Sequence, residues 1–194
     1  MPKLYFRYGT MNSSKTANLL MSAHNYQSQG KKIIFIKPNI DDRFGQNIIS
    51  SRIGIDVIAD HVIDRDFNLI DCFDENNYYQ NVMCVFVDEC QFLSANNVEQ
   101  LRVISLRIPV ICYGLRTDYQ SNLFEGSKRL MELADSIEEI KTICVTCNKK
   151  SIINAKFHVE NGSKKIIKSG AESIDLGSEE KYQSMCYSCW YNDN

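Results

Sequence analysis

The sequence predicts an α/β protein: a doubly wound, mostly parallel sheet with a small C-terminal domain of different character. Three observations lead to this prediction. Short apolar runs alternate with stretches of helical periodicity over residues 1–140, as in successive βαβ units. The first apolar run continues through a polar loop into Lys15-Thr16 and a helix, which is the setting of a phosphate-binding loop. Two Cys-x-x-Cys pairs lie near the C-terminus.

Four apolar runs are the expected strands of this sheet, because parallel strands are buried on both faces and carry few polar side chains. The first begins at Leu4, and the second spans Lys32–Lys37. The third spans Val82–Val87 and the fourth spans Pro109–Tyr113. A shorter strand is expected at 55–58.

Helices are expected between these strands. The first begins at Lys15, after which apolar residues recur at helical spacing, and it ends near Gly30. Ser94 is the expected N-cap of another helix, and an amphipathic helix is expected at 124–135. The segment 64–80 has a weaker pattern, which also favours a helix.

The eight cysteines fall into two groups. Four are isolated, mostly in or beside apolar runs, and are expected to be small buried hydrophobes: Cys72, Cys84, Cys90 and Cys112. The paired cysteines suit one tetrahedral structural Zn²⁺ held by four thiolates, which leaves no open position for catalysis: Cys144, Cys147, Cys186 and Cys189. The segment 148–185 would then be a long loop tied at both ends by metal, suited to act as a lid that includes Tyr182.

The stretch Gly9–Thr16 has the features of a phosphate-binding loop. Backbone N–H groups of such a loop and of the following helix N-terminus point at phosphate oxygens. Lys15 would add a charge to the β- and γ-phosphates, and Thr16 would offer a hydroxyl to Mg²⁺. The pattern departs from G-x-x-x-x-G-K-[ST] at Ser14, where glycine is usual. An ordinary strand-to-helix turn with a solvated Lys is the competing interpretation.

The strand Val82–Val87 ends in Asp88-Glu89, and this acidic pair is the second half of the predicted site. An Asp at the end of a buried strand can hold Mg²⁺ directly or through water. Glu89 beside it is a candidate general base, which would act on water in an ATPase or on a substrate hydroxyl in a kinase. Two solvated carboxylates in a turn are the alternative.

Three aromatic residues follow strand ends, where a flat base could stack: Tyr119, Phe92 and Phe124. For Phe92 and Phe124 ordinary core packing is the favoured interpretation. From about residue 140 the pattern changes to short β-like runs between the Cys pairs. We therefore expect a nucleotide-binding α/β domain at 1–140 and a zinc-binding domain at 141–194.

The composition limits the classes of function. The 194 residues carry a formal net charge of −2, which argues against broad nucleic-acid binding, because a basic face supplies most of that affinity. No run of about 18 apolar residues occurs, so no membrane partner is expected. The N-terminus lacks the basic-then-apolar pattern of a signal peptide, and a cytoplasmic location is therefore expected.

Taken together, the motifs resemble the thymidine kinases of the zinc-containing, P-loop type that occur in bacteria, in animal cytosol and in some large DNA viruses. The resemblance covers essentially the whole chain and implies a P-loop (RecA-like) fold whose small zinc-ribbon domain carries a lasso loop. Several blocks in the right order carry it: Tyr8–Thr16, Asp41–Gly45, Ser51–Gly54, Asp88–Phe92, Tyr113–Tyr119 and the cysteine pair that begins in Lys141–Cys144.

The resemblance implies transfer of the γ-phosphoryl group of ATP to the 5′-hydroxyl of thymidine. Glu89 would be the base on that hydroxyl, and Thr16 and Asp88 would serve Mg²⁺. The residues implied to bind ATP are Gly9, Thr10, Met11, Asn12, Ser13, Ser14, Lys15, Thr16, Asp88, Glu89, Cys90 and Gln91.

By the same resemblance, main-chain groups of the lasso grip the thymine, with Tyr119 against the base and Tyr182 near the deoxyribose. Deoxyuridine and 5-substituted analogues are implied substrates, thymidine triphosphate (dTTP) an implied feedback inhibitor, and a homotetramer the implied assembly. The implied lasso residues are Ser173, Ile174, Asp175, Leu176 and Gly177.

Two positions depart from the family pattern, because Ser14 and Ser178 stand where glycines are usual. The alternatives to the kinase are a P-loop ATPase in which Glu89 activates water, and a zinc-containing binding module without catalysis. Stimulation of ADP release by thymidine would separate the kinase from the ATPase, and a binding module would take up nucleotide without turnover.

Overall fold

The computed structural model describes residues 1–40, 47–160, 163–170 and 181–193. In this part of the chain the main sheet has six strands in the order β5-β2-β6-β7-β1-β8, and every neighbouring pair is parallel. The predicted parallel sheet is therefore confirmed. Its strands are β1 (Leu4–Tyr8), β2 (Ile33–Pro38), β5 (His61–Ile63), β6 (Cys84–Val87), β7 (Val110–Gly114) and β8 (Ser136–Glu139), and a separate hairpin contains β3 (Ile48–Ser50) and β4 (Asp56–Ile58).

The edge strand β8 is a strand that the sequence pattern did not indicate. It pairs with β1 from Tyr5↔Ser136 to Tyr8↔Glu139. Its sequence is Ser-Ile-Glu-Glu, and Ile137 is 43% exposed, so the strand lacks the apolar run that marks a buried one. Edge strands pack on one side only and tolerate charge, which is why this strand cannot be recognised from hydrophobicity.

The helices agree with the predicted starts and differ in one interval. The first, α1, begins at Lys15, and Ser94 caps α4 in a reciprocal capping box with Asn97. The expected single helix over 64–80 is two short helices, because Asn77 between them has a left-handed φ of 53° that a continuous α-helix does not contain. The bounds are α1 (Lys15–Gln27), α2 (Leu69–Glu75), α3 (Tyr78–Asn81), α4 (Ala95–Ile104), α5 (Glu125–Leu133) and α6 (Tyr187–Asn192).

Two apolar cores lie on opposite faces of the sheet. On one face α1 packs against alternate residues of the strands, with Leu19 and Phe86 among the buried contacts. On the other face α2, α4 and α5 pack against the remaining positions, with Leu101 and Val85 among them. Helices on both faces make the sheet doubly wound, as predicted. The four isolated cysteines are buried as expected, and burial raises the pKa of Cys84 to about 12.

A small unit with an antiparallel sheet follows the main sheet. The expectation of one long loop over 148–185 is therefore wrong for the described part of that segment, because its short β-like runs pair into three strands. The unit has the strand order β10-β9-β11, and its core contains Cys144, Ile153, Met185 and Cys186. Its strands are β9 (Ile153–Glu160), β10 (Ser163–Ile167) and β11 (Tyr182–Met185). Among the helices of the described residues, none combines the length and the apolar character that crossing a membrane requires.

Candidate active site

The loop between β1 and α1 has the backbone shape of an anion-binding turn. Asn12 and Ser14 both have left-handed φ values, 62° and 61°. A side chain at Gly9 would collide with Ser13 Oγ and would lie 2.6 Å from the carbonyl oxygen of Ile140, so only glycine fits there. Ser14 adopts the left-handed conformation that a glycine would adopt more easily, at a cost of about 1 kcal/mol.

Two polar groups of this loop indicate that it fits phosphate. The Ser13 hydroxyl is buried, and it has no hydrogen-bond partner among the described residues. The Lys15 ammonium bends back over the loop and donates to the Thr10 carbonyl oxygen at 2.8 Å. Burial lowers the pKa of Lys15, while the nearby carboxylates of Glu89 and Asp88 oppose that shift. An anion in the loop would satisfy both the orphan hydroxyl and the ammonium.

Thr16 and Asp88 come together at the same edge of the sheet. Thr16 Oγ1 donates to Asp88 Oδ2 at 3.1 Å. Asp88 is buried, and burial, reinforced by the charge of Glu89, raises the pKa of Asp88 to about 7. A carboxylate and a hydroxyl in this arrangement are ligands that suit Mg²⁺.

Glu89 is held in a strained backbone conformation and a defined side-chain orientation. Its φ is 48°, in the left-handed region that non-glycine residues rarely adopt. Gln91 Nε2 donates to Glu89 Oε2 at 2.6 Å, and Gln91 Oε1 accepts from the Leu115 N–H at 3.0 Å. A side chain at Gly114 would lie 2.5 Å from Gln91 Oε1, so this glycine makes room for the bridge. Gln91 therefore connects Glu89 to the end of β7.

Cys90, between these residues, has a buried side chain at the base of the acidic turn. It is fully buried in the main core, and its sulfur is the atom that a side chain at Gly114 would meet at 2.7 Å. Burial raises the pKa of Cys90 well above its usual range. Its thiol therefore packs in the main core, and only its backbone is available to a nucleotide in the proposal below.

A cavity of about 450 Å³ opens beside the strand-end turns. Phe92 and Phe124 line it in an edge-to-face pair with ring centroids 5.7 Å apart. Both rings are half-buried and lie outside the core clusters, so the expectation of ordinary core packing for them is wrong. The physical reason is that Phe92 lies in the turn after β6 and Phe124 at the N-terminus of α5, where both rings line the cavity. Gln91 and Asp118 supply polar groups to the same wall.

Tyr119 and Tyr182 both lie near the ammonium group of Lys156. The Lys156 ammonium lies 5.1 Å from the Tyr119 ring centroid and 6.0 Å from that of Tyr182. Gln120 Nε2 donates to the Gly170 carbonyl oxygen at 2.9 Å. Both tyrosines thus lie beside the two ends of segment 171–180. The predicted lasso residues Ser173, Ile174, Asp175, Leu176 and Gly177, together with Ser178 and the block 41–45, lie outside the described residues.

The four paired cysteines form one cluster. Their sulfur atoms all lie within 4.8 Å of one another, which suits a single metal ion. The N–H groups of Thr146 and Cys189 each donate to a sulfur at 3.4 Å, from Thr146 to Cys144 and from Cys189 to Cys186. Although burial opposes it, hydrogen bonds from backbone groups lower the pKa of Cys144 to about 6. These donors favour the thiolate form that a metal requires.

Three polar side chains of the cysteine-containing unit bind the phosphate loop, and the sequence pattern did not indicate them. The Met11 N–H donates to Asn154 Oδ1 at 2.8 Å, and Ser184 Oγ donates to the Met11 carbonyl oxygen. Ser151 Oγ and Thr10 Oγ1 share a hydrogen bond of 3.0 Å. These partners are more than 140 positions apart in the chain, so no local spacing marks them.

The parallel sheet, the loop with Lys15-Thr16 and the acidic pair at the end of β6 are together typical of the P-loop nucleotide-binding class. The family model described as thymidine kinase matches residues 2–190. The chain belongs to the thymidine kinase family.

Three curated relatives match this chain along nearly their whole length. A thymidine kinase of Haemophilus influenzae (strain Rd) is 45% identical over 188 residues, which covers 96% of this chain and 94% of the relative. A thymidine kinase of Streptococcus pyogenes serotype M3 is 44% identical over 196 residues, covering 99% and 98%. One of Streptococcus agalactiae serotype Ia is 43% identical over 194 residues, with the same coverage.

Proposed function

We propose that this protein transfers the γ-phosphoryl group of ATP to the 5′-hydroxyl of thymidine. The observation that carries the proposal is the pair of neighbouring carboxylates with separate partners. Asp88 bonds to Thr16 at the end of the phosphate loop, whereas Glu89 bonds to Gln91 beside the aromatic cavity. Such a division suits one metal-binding carboxylate and one base. The names of the relatives support thymidine as the acceptor.

The donor half of the site uses the loop from Gly9 to Thr16. Its backbone N–H groups and the start of α1 would bind the triphosphate, and Lys15 would leave the Thr10 carbonyl to contact the β- and γ-phosphates. Thr16 and Asp88 would hold Mg²⁺, which when bound would neutralise charge on the transferring group. Asn12, Ser13 and the backbone of 88–91 complete the ATP-binding set that we propose.

Glu89 would act as the general base. It would take the proton of the 5′-hydroxyl while that oxygen bonds to the γ-phosphorus and the bond to the β,γ-bridging oxygen breaks, releasing ADP. The hydrogen bond from Gln91 orients the Glu89 carboxylate, and the left-handed backbone at Glu89 sets the direction in which its side chain leaves the main chain. Strained residues persist where the surrounding structure determines them, and they concentrate at such sites.

The acceptor half would be the cavity walled by Phe92 and Phe124, with Tyr119 against the base and Tyr182 near the deoxyribose. Residues 173–177 would close over the thymine as a lid that excludes water. On this proposal deoxyuridine and 5-substituted analogues are also substrates. dTTP would inhibit by occupying both halves, and the assembly would be a homotetramer.

The cysteine cluster would hold a structural Zn²⁺ through Cys144, Cys147, Cys186 and Cys189. When bound, zinc would join the turn at 144–147 to the start of α6, directly after β11, and would have no open coordination position. The chain would thus work as two functional units, 1–140 for nucleotide binding and 141–194 for the zinc site and the lid.

The test is an assay of ADP release from Mg²⁺-ATP by purified protein, with and without thymidine. We expect ADP release that depends on thymidine and an equal amount of thymidine monophosphate. ADP release at the same rate without the nucleoside would favour the ATPase and contradict the proposal. Nucleotide binding without any turnover would favour a binding module.

A further inference from the structure

We propose that Asn154 is a positioning residue that fixes the phosphate loop relative to the turn after β7. Asn154 lies in β9 and is 3% exposed. Its Oδ1 accepts from the Met11 N–H at 2.8 Å, and its Nδ2 donates to the Thr117 carbonyl oxygen at 2.9 Å. One side-chain amide thus joins three segments that are distant in the chain.

The chemistry of the amide explains why asparagine suits this position. One oxygen must accept a hydrogen bond and the other terminal atom must donate one, and a carboxamide offers both at the same carbon. Only one of its two flip states satisfies both backbone groups. The contacts themselves therefore determine the orientation of the amide.

The strand register shows that this contact is part of a larger surface. Asn154 lies directly opposite Ser184 in the β9–β11 pair, so both side chains lie on one face of the small sheet. Ile153 and Ala155 occupy the other face, in the core around the cysteines. Asn154 and Ser184 together bind the N–H and the carbonyl oxygen of Met11.

The position of this contact gives it a functional consequence, which rests on the proposed function. Met11 precedes Lys15 in the donor loop, and Thr117 precedes Tyr119 in the acceptor wall. A change in their separation would move the γ-phosphate relative to the 5′-hydroxyl. Misplacement of about 1 Å can lower a rate by about 100-fold. We therefore expect Asn154 to act mainly on kcat and on ATP binding.

The test uses Asn154→Asp, which is nearly isosteric. The ionised carboxylate accepts from Met11 but faces the Thr117 oxygen with a lone pair. The protonated acid donates to that oxygen and restores both bonds. Burial raises the pKa of such a carboxyl. The charged residues on the joined segments are Lys156 on β9, Arg116 and Asp118 on either side of Thr117, and Lys15 beyond Met11. We expect the ratio of variant to wild-type kcat to rise about tenfold as the pH falls from about 9 to about 6.

Because Asp88 titrates in both proteins, dividing the kcat of the variant by that of wild type at the same pH cancels its effect. Asn154→Ala loses both bonds, so its kcat should fall about 10–100-fold at every pH, with a flat ratio. Ile153→Val is the matched control, because it removes a methylene from the opposite face of the same strand. Its unfolding midpoint should fall by about 2–4 °C, with kcat within about twofold of wild type and no pH trend.

The inference would be overturned if folded Asn154→Asp had a ratio of variant to wild-type kcat that did not change with pH. It would also be overturned if Asn154→Ala and Ile153→Val had equal kcat values. If the Asn154 variants do not fold, Ser184→Ala serves in their place, because it removes one bond to Met11. It should raise the KM for ATP and leave the KM for thymidine unchanged, and an unaltered KM for ATP would contradict the inference.

A separate measurement distinguishes this inference from the proposed function. Wild-type protein that transfers no phosphate to thymidine would overturn the proposed function alone. Calorimetric binding of Mg²⁺-ATP to the variants would still test Asn154. We expect Asn154→Ala to bind at least about tenfold more weakly than Ile153→Val, since an unanchored loop must be ordered on binding. Equal affinities would overturn the inference.

Discussion

Thr16 and Asp88 are joined by a hydrogen bond of 3.1 Å across 72 positions of the chain. Thr16 lies in the first turn of α1 after β1, and Asp88 follows β6, while β7 lies between these two strands in the sheet. Because all three strands are parallel, their carboxyl ends reach the same edge. The phosphate loop and the acidic pair therefore meet there, and the predictions below test what this meeting does.

Glu89→Gln should lower kcat by about 10²–10⁴-fold while the affinity for ATP is retained. The amide keeps the size of the side chain but cannot accept the proton of the 5′-hydroxyl. Steady-state kinetics with thymidine and calorimetry with Mg²⁺-ATP measure the two effects. Glu132→Gln is the matched control, since Glu132 is exposed and pairs with Arg129 on the surface. A kcat for Glu89→Gln equal to that of the control would remove Glu89 from the role of base.

The effect of replacing Ser14 on the free energy of unfolding should depend on the backbone conformation there and not on loss of the hydroxyl. Ser14 is exposed, has φ 61° and makes no side-chain capping bond. Ser14→Gly should leave the free energy of unfolding unchanged within about 1 kcal/mol, because relief of strain and added unfolded-state entropy oppose each other. Ser14→Val should cost about 1–2 kcal/mol, because β-branched residues resist this conformation.

Chemical denaturation measures these changes. Ser28→Val is the control for the Ser14 series, because Ser28 caps the other end of α1 with an ordinary φ of −62°. Its free energy of unfolding should change by only about 0.5 kcal/mol. Equal stabilities for Ser14→Val and Ser28→Val would show that the left-handed backbone carries no cost.

The stability of the nucleotide-free protein should decrease as the pH rises from about 4 to about 7. Burial raises the pKa of Asp88 from its usual 3.8 to about 7 in the folded state. Its contribution is fully present below the unfolded pKa and is lost as the pH rises through the folded pKa, because ionisation is then easier in the unfolded chain. Asp88→Asn should remove this dependence. The free energy of unfolding of both proteins across this range is the measurement, and identical slopes would contradict the assignment.

Removal of metal from the cysteine cluster should weaken ATP binding as well as thymidine binding. Ser151, Asn154 and Ser184 belong to the unit that holds the cluster, and all three bond to the phosphate loop. Loss of the metal would loosen this unit and with it both the phosphate loop and the residues on either side of segment 171–180. The KM values for ATP and thymidine, measured with metal content before and after chelation, test this. An unchanged KM for ATP in metal-free protein would exclude the coupling, and added Zn²⁺ should restore both values.

Much of the fold follows from local patterns. The apolar runs around Phe35, Val85 and Ile111 are strands of the sheet because their side chains are buried on both faces. The capping box at Ser94 is readable because its partners are three residues apart. The strand β8 escapes such a reading, since an edge strand with two glutamates has no distinctive burial pattern.

The candidate site divides in the same way. The sequence by itself determined the phosphate loop with Lys15-Thr16, the acidic pair and the cysteine pairs, because each is a short motif whose chemistry depends on neighbours in the chain. Only the tertiary structure decided that Phe92 and Phe124 line a cavity. It alone decided that Asn154 reaches the backbone of Met11. Those relations depend on which faces of separate elements meet, and the packing of the whole chain determines that.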